Sequence, residues 1–157
     1  MDPKKRKIIE EWPKPNNLHE LRSFIGMCSY YRRLIEKFSI IAGPLHDLIK
    51  KKVEFQWIAK ENDAFNELKK RLMLGPLLVL PDLSKTFEVH CDAFGDSLGA
   101  LISQEGHPIA YESHRLQPQD RSLGIYEKKL LAVIHALDAW KHYLLYTPFI
   151  IRIDHQD

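Results

Sequence analysis

The residues with chemistry to offer fall into two groups along the chain. In the first half, Tyr30-Tyr31-Arg32-Arg33 sets two aromatic rings beside two guanidinium groups. That combination can stack on bases and pair with a phosphate backbone. Lys50-Lys51-Lys52 adds a second cationic run. The competing reading packs the tyrosines into a helix core and leaves the arginines solvated. We expect Tyr31 in a core and Arg32 and Arg33 on phosphate. The second half offers carboxylates, with Asp92 and Asp154 each closing a short extended stretch. The charge follows the same division. Residues 1–82 hold 16 Lys and Arg against 11 Asp and Glu, a net of +5, and residues 83–157 hold 7 against 10, a net of −3. A basic half can track phosphates, and an acidic half can hold a divalent metal. Two solvated surfaces would carry the same charges.

Several classes are excluded at once. The chain has 157 residues, 45% apolar and 28% charged, which fits one domain or one domain plus a small one. No run of 18 apolar residues exists, which rules out a helical membrane span, and the first residues do not read as a secretory signal. Cys28 and Cys91 are the two cysteines; nothing pairs them by spacing, and a reducing compartment is expected. The eight histidines are scattered, with no zinc-type spacing, and His155 alone neighbours one of the strand-ending aspartates. Trp12, Trp57 and Trp140 read as packing residues. Pro3-Lys4-Lys5-Arg6-Lys7 resembles a monopartite nuclear localisation signal, an extended basic run, and the expected location is nucleus, cytoplasm or both. Chance would produce so short a match as well.

The elements that must position these residues can be read from periodicity. Trp12 to Asn16 cannot be helical. Asn17 then looks like an N-cap, with Glu20 three residues on, and Leu21, Phe24, Ile25, Cys28, Tyr31, Leu34 and Ile35 predict a helix over 18–36. Gly43-Pro44 starts a short helix over 45–50, Phe55 to Trp57 is briefly extended, and Ala64, Phe65, Leu68 and Leu72 mark a helix over 61–73. Pro81 to Ser84 reads as a linker. Strands follow over 86–91, 98–103 and 108–113, with a turn at 104–107. A helix over 122–145 shows Tyr126, Leu130, Val133, Leu137, Trp140 and Leu144 on one stripe. Phe149 to Ile153 is a fourth strand, which a helical crossover makes parallel to its neighbour. The fold class is therefore α+β: a small helical region, 1–82, then an α/β region, 83–157, with a three-stranded antiparallel meander, a long helix and a parallel fourth strand.

That β-β-β-α-β order, with an aspartate ending the first and fourth strands, resembles the opening of a ribonuclease H fold. Trp12-Pro13-Lys14-Pro15, Leu21-Arg22-Ser23-Phe24-Ile25-Gly26, Tyr30 to Arg33, Pro44-Leu45, Phe55-Gln56-Trp57 and Ala64-Phe65 resemble the region after the polymerase palm in gypsy-type LTR retrotransposon reverse transcriptases. Cys91-Asp92-Ala93, Gly99-Ala100, Ser113-His114-Arg115-Leu116, Glu127 to Ala132 and Asp154-His155-Gln156 resemble the ribonuclease H domain of that family. The resemblance implies a thumb and connection region over 1–82, lying along a template–primer duplex, and an incomplete ribonuclease H domain over 83–157. The paired aspartates of the polymerase palm are absent from the sequence, so DNA synthesis is not expected of it.

Cleavage of the RNA strand of a hybrid needs two divalent metals about 3.5–4 Å apart, hence several converging carboxylates. The resemblance makes Asp92 the first of these and Asp154 the third. It puts Lys129 where the family has a helix glutamate, and it places the fourth aspartate beyond residue 157. Glu127 lies about 200° round a helix from position 129 and cannot stand in. A Lys129 ammonium pointing at Asp92 and Asp154 would compete with Mg²⁺ or Mn²⁺; the alternative is that it snorkels outward. Phe94 replaces a small residue of the family. The implied site is vestigial, with Asp92 and Asp154 weak metal ligands at best and no cofactor required. The expected role is binding of an RNA–DNA hybrid or duplex through Arg32, Arg33, Lys50, Lys51 and Lys52. One alternative is a host-protein partner, or a second copy of the chain, added at an open strand edge of Phe149, Ile150 and Ile151. Another is residual metal-dependent hydrolysis.

Overall fold

The computed structural model describes residues 2–75 and 78–154. The chain divides into two compact units after residue 76. The first is helical: α1 (Pro3–Glu10), α2 (Leu18–Tyr30), α3 (Phe38–Ile41), α4 (Gly43–Leu48) and α5 (Ala59–Leu74). The Asn17 side chain accepts the Glu20 N–H at 2.9 Å, and the Glu20 carboxylate accepts the Asn16 N–H at 2.8 Å. One orphan donor of the first turn of α2 and the amide just before its cap are thereby satisfied. Leu21, Phe24, Ile25 and Cys28 of α2 and Ala64, Phe65, Leu68 and Leu72 of α5 are buried in one core, as the period predicts. Phe65 lies 4.6 Å from the ring of Phe24 and 5.8 Å from that of Trp57. In α5 the buried Glu61 accepts the Ile58 N–H at 3.1 Å, which closes the first turn.

Two readings of this unit need correction. The helix expected over 18–36 stops at Tyr30; a single 3₁₀ turn, Arg32–Leu34, follows, and Lys37 is left-handed with φ 57°. The bend lets both Ile35 and Phe38 reach the core. The basic run Lys4, Lys5, Arg6 and Lys7, expected to be extended, is helical. Asp2 accepts the Lys4 N–H at 3.1 Å, and Pro3 occupies the first turn, where its missing N–H costs nothing. At the other end Lys69 donates to the carbonyls of Glu10 (2.7 Å) and Trp12 (3.0 Å), and Ile9 is buried. Capping at both ends and one anchored side chain outweigh repulsion among four exposed cations.

The second unit is a four-stranded sheet of order β3-β2-β1-β4. β1 (Phe87–Phe94), β2 (Ser97–Gln104) and β3 (His107–Arg115) form the antiparallel meander, and β4 (Phe149–Ile153) pairs parallel to β1, as expected. Glu105 and Gly106 both have positive φ, the requirement of a two-residue hairpin turn. Between β3 and β4 run α6 (Ile125–Ala139) and α7 (Lys141–Leu144). Phe87, Val89, Cys91 and Ala93 on β1 and Leu98 and Ile102 on β2 share a core with Ala132, Val133, Ala136, Trp140 and Leu144.

The stripe expected on the long helix is rotated. Tyr126 and Leu130 are 75% and 60% exposed, and the buried face is Lys129, Ala132, Val133 and Ala136. Small alanines let a helix approach a sheet closely, which a Tyr–Leu stripe would prevent. The helix is also broken at Trp140, whose backbone (φ −114°, ψ 19°) leaves the α region, so one period does not run through to Leu144. The second unit begins earlier than residue 83. The Val79 N–H donates to the Pro108 carbonyl at 3.0 Å, and the Gln104 amide accepts from Asp82 N–H and donates to the Asp82 and Lys85 carbonyls at 2.7–3.0 Å.

Both thiols are buried and free. Burial pushes Cys28 from an ordinary 9.0 up to about 12 and Cys91 up to about 11. The folded state thus holds these protons more tightly than the unfolded chain. Their contribution to stability is complete below about pH 9 and is lost as pH rises through the folded values. Iodoacetamide at pH 8 should leave the native protein unmodified and label both cysteines in denaturant; rapid native labelling at either thiol would contradict this burial.

Candidate functional site

β1 and β4 run side by side, and their register ends on the pair Cys91–Ile153. Asp92 and Asp154 are the next positions along the two strands, and both are exposed. The sheet therefore brings to one corner the two aspartates that stand 62 positions apart in sequence. The Asp92 carboxylate accepts the Ala93 N–H at 2.8 Å. His155 lies outside the described residues.

Lys129 approaches the same corner from α6. It is 8% exposed and its ammonium donates to the backbone carbonyl of Asp154. The expectation that position 129 faces the sheet holds, and the outward-snorkelling alternative does not. Glu127 is committed elsewhere: its carboxylate accepts the Gly124 N–H at 2.8 Å and caps the first turn of α6. Beside the two aspartates the helix thus delivers an ammonium bound to a backbone carbonyl, while the Glu127 carboxylate is turned to the first turn of its own helix. Among the described residues, no group of three His, Cys, Asp or Glu side chains is placed to hold a metal ion. A two-metal centre does not fit the described residues.

The cationic residues expected on phosphate all belong to the helical unit. Arg33 is exposed, whereas Arg32 is half-buried with its guanidinium 5.6 Å from the Phe38 ring. Tyr31 packs on the core, as expected, and the ring of Tyr30, 78% exposed, meets it edge-on at 4.9 Å. Lys50 is paired with Asp47 at 2.7 Å, and Lys51 and Lys52 are exposed in the turn that follows α4, with Lys52 left-handed at φ 66°. Phe149, Ile150 and Ile151 lie on β4, which is one edge of the described sheet, and are 38%, 46% and 37% exposed.

Two polar groupings escaped the sequence reading. Arg152 of β4 grips Glu88 of β1 at 3.2 and 3.4 Å, and His90 meets the same carboxylate at 3.3 Å. The Arg152 guanidinium, with His90 adding to it, holds Glu88 below the usual carboxylate range. On the helix side of the sheet, His114 and His135 stack at 4.6 Å, and His135 lies 3.4 Å from Glu112. Glu88 and His90 share a face by strand alternation, but their Arg152 partner and the approach of His135 to His114 and Glu112 needed the strand register and the helix placement.

Residues 57–151 match the family model for the RNase H-like domain found in reverse transcriptase. The retrovirus-related Pol polyprotein from transposon 297 of Drosophila melanogaster is 38% identical over 156 residues, which is 99% of this chain and 15% of that protein. The Pol polyprotein from transposon gypsy of the same organism is 34% identical over 99% of this chain and 16% of its own length. The transposon Tf2-3 polyprotein of Schizosaccharomyces pombe is 34% identical over 95% and 12%. The chain thus spans about one sixth of the relatives it matches, or less. Among solved structures, the foamy viral protease-reverse transcriptase with RNA/DNA hybrid superposes with a TM-score of 0.88 at 23% identity, covering 100% of this chain and 22% of that one. The same viral enzyme with double-stranded DNA gives 0.87 at 22% identity, covering 100% and 34%. With more than half of its residues matched and the β-β-β-α-β sheet in place, the chain belongs to the RNase H-like domain family of reverse transcriptases.

Proposed function

We propose that this chain is a nucleic-acid-binding module without hydrolytic activity, which holds an RNA–DNA hybrid or a duplex through the helical unit. The observation that carries the reading is Lys129. A buried ammonium stands where two-metal hydrolysis calls for a carboxylate, while Arg33, Lys50, Lys51 and Lys52 of the first unit are exposed. Metal binding demands converging negative charge, and each ligand exchanged for a cation both removes an attraction and adds a repulsion. Phosphate binding demands only accessible cations. Arg33, Lys51 and Lys52 meet that demand, Lys50 divides its charge with Asp47, and Arg32 reaches phosphate while resting on Phe38. The foamy viral relatives were solved with double-stranded DNA and with hybrid, which supports the ligand class. No Mg²⁺ or Mn²⁺ is required on this reading. The module works in the nucleus, the cytoplasm or both, and Lys4 to Lys7 act in import only if α1 unwinds.

A second reading rests on β4. It carries a run of exposed apolar residues along a sheet edge, and such an edge accepts an added strand. The occupant would be a protein partner or a second copy of the chain. Its complex would tolerate salt and be lost on Ile151→Pro, which removes a ladder donor.

Fluorescence anisotropy with a labelled RNA–DNA hybrid across a salt series tests the first reading. Affinity should fall steeply with salt. Alanine at Arg33, Lys51 or Lys52 should each reduce the slope by roughly 0.9 per lost phosphate contact, and hybrid incubated with Mg²⁺ or Mn²⁺ should stay intact on a gel. Absence of binding at low salt rejects the module. Metal-dependent cleavage that disappears in Asp92→Asn rejects its silence.

Lys129 itself can be reversed. Lys129→Glu should create a Mg²⁺-dependent rise in Tm that the parent protein lacks. Lys129→Ala should lower stability by roughly 1–3 kcal/mol, the worth of a charge-assisted hydrogen bond. An unchanged Mg²⁺ response in the glutamate variant would mean that position 129 does not govern the corner.

A further inference from the structure

We propose that Phe94 is a stacking platform for an unpaired nucleobase beside Asp92; the proposal rests on the nucleic-acid-binding reading and names a second, non-electrostatic contact within it. Phe94 ends β1 two residues after Asp92, so both side chains stand on the sheet face turned away from α6. The ring is 69% exposed. Its neighbours Asp92, Gly95 and Asp96 are exposed and not apolar, so the ring does not belong to an apolar protein-docking patch. Across the strand pair, Asp92 faces Gly99, and a Cβ there would meet no atom within 4 Å. The surface next to the ring is therefore open.

An exposed ring on a loose tip would lose much of its stacking energy to ordering. This tip is fixed. The β1–β2 ladder runs out to the pair Phe94–Ser97, and Gly95 takes the left-handed turn with φ 56°. Lys128 of α6 donates to the Gly95 carbonyl at 3.1 Å, Arg121 lies 3.5 Å from the Asp96 carboxylate, and the Leu116 N–H donates to the Asp96 carbonyl at 2.8 Å. Arg121 and Asp96 cancel each other's charge, but Lys128 is held by a neutral carbonyl and keeps its own. The tip thus offers a flat apolar face, with the Lys128 charge offset by the exposed Asp92 carboxylate two residues before the ring. What such a face matches is the π-face of a base, without a phosphate contact beside it. Stacking of this kind tolerates any base.

The test uses the whole chain and two probes, a blunt RNA–DNA hybrid and one with a short single-stranded overhang. Phe94→Ala should weaken binding of the overhang probe about tenfold or more, leave the salt slope unchanged and leave the Tm near that of the parent. Phe94→Trp should retain affinity, and its indole emission should be quenched as the overhang binds. Equal affinity of parent and alanine variant for both probes, with no quenching, would overturn the platform while the hybrid-binding reading stands. No binding of either probe by the parent would overturn both.

Discussion

The corner where β1 and β4 end is organised by one hydrogen bond, from the Lys129 ammonium to the Asp154 carbonyl. Lys129 is 8% exposed, and its ammonium must find a partner, because an unpaired buried charge costs several kcal/mol. Two exposed carboxylates follow on the adjoining strands, and the charge nevertheless settles on a backbone oxygen. That choice has structural consequences. It fixes α6 against the last residues of β4, the strand that shares only one neighbour in the described sheet. It also sets the rotation of the helix. With Lys129 turned inward, Ala132, Val133 and Ala136 follow on the same face, and Tyr126 and Leu130 are carried out to solvent.

The electrostatic meaning of the corner follows from the same contact. Two-metal hydrolysis works because surplus negative charge is paired with two dications. At this corner a parallel strand pair brings two aspartates together, and α6 delivers a cation beside them. On the proposed reading that cation opposes the binding of a dication.

Most of the architecture was legible in the sequence for simple reasons. Period-2 alternation over Phe87 to Cys91 and the Asn17 cap are local signals, and local signals survive folding unchanged. What stayed hidden depends on distance. The α1 helix needs Lys69, 59 residues away, to satisfy its last carbonyls. The α6 rotation needs the sheet against which its alanines pack, since Tyr126 and Leu130 satisfy helical period as well as the true face does. At the site, Asp92, Asp154 and the inward direction of Lys129 could be anticipated from strand ends and family pattern. The reach of Arg152 to Glu88 and of His135 to His114 and Glu112 could not, because these contacts are made by register across strands and by helix placement.

A module that gave up metal chemistry would still have to hold its ligand, and the two kinds of contact open to it differ in what they discriminate. Cations such as Arg33 and Lys51 gain free energy by releasing counterions, so their grip is strong at low salt and indifferent to sequence and strand type. An exposed ring gains by stacking, which salt hardly affects and which a base can reach only when it is out of the helix. Held rigidly beside Asp92, Phe94 would therefore tell frayed or single-stranded positions from continuous duplex, something charge alone cannot do. On the proposed reading, with Lys129 at the corner and no metal chemistry to serve, that ring is free to select the ligand by its pairing state.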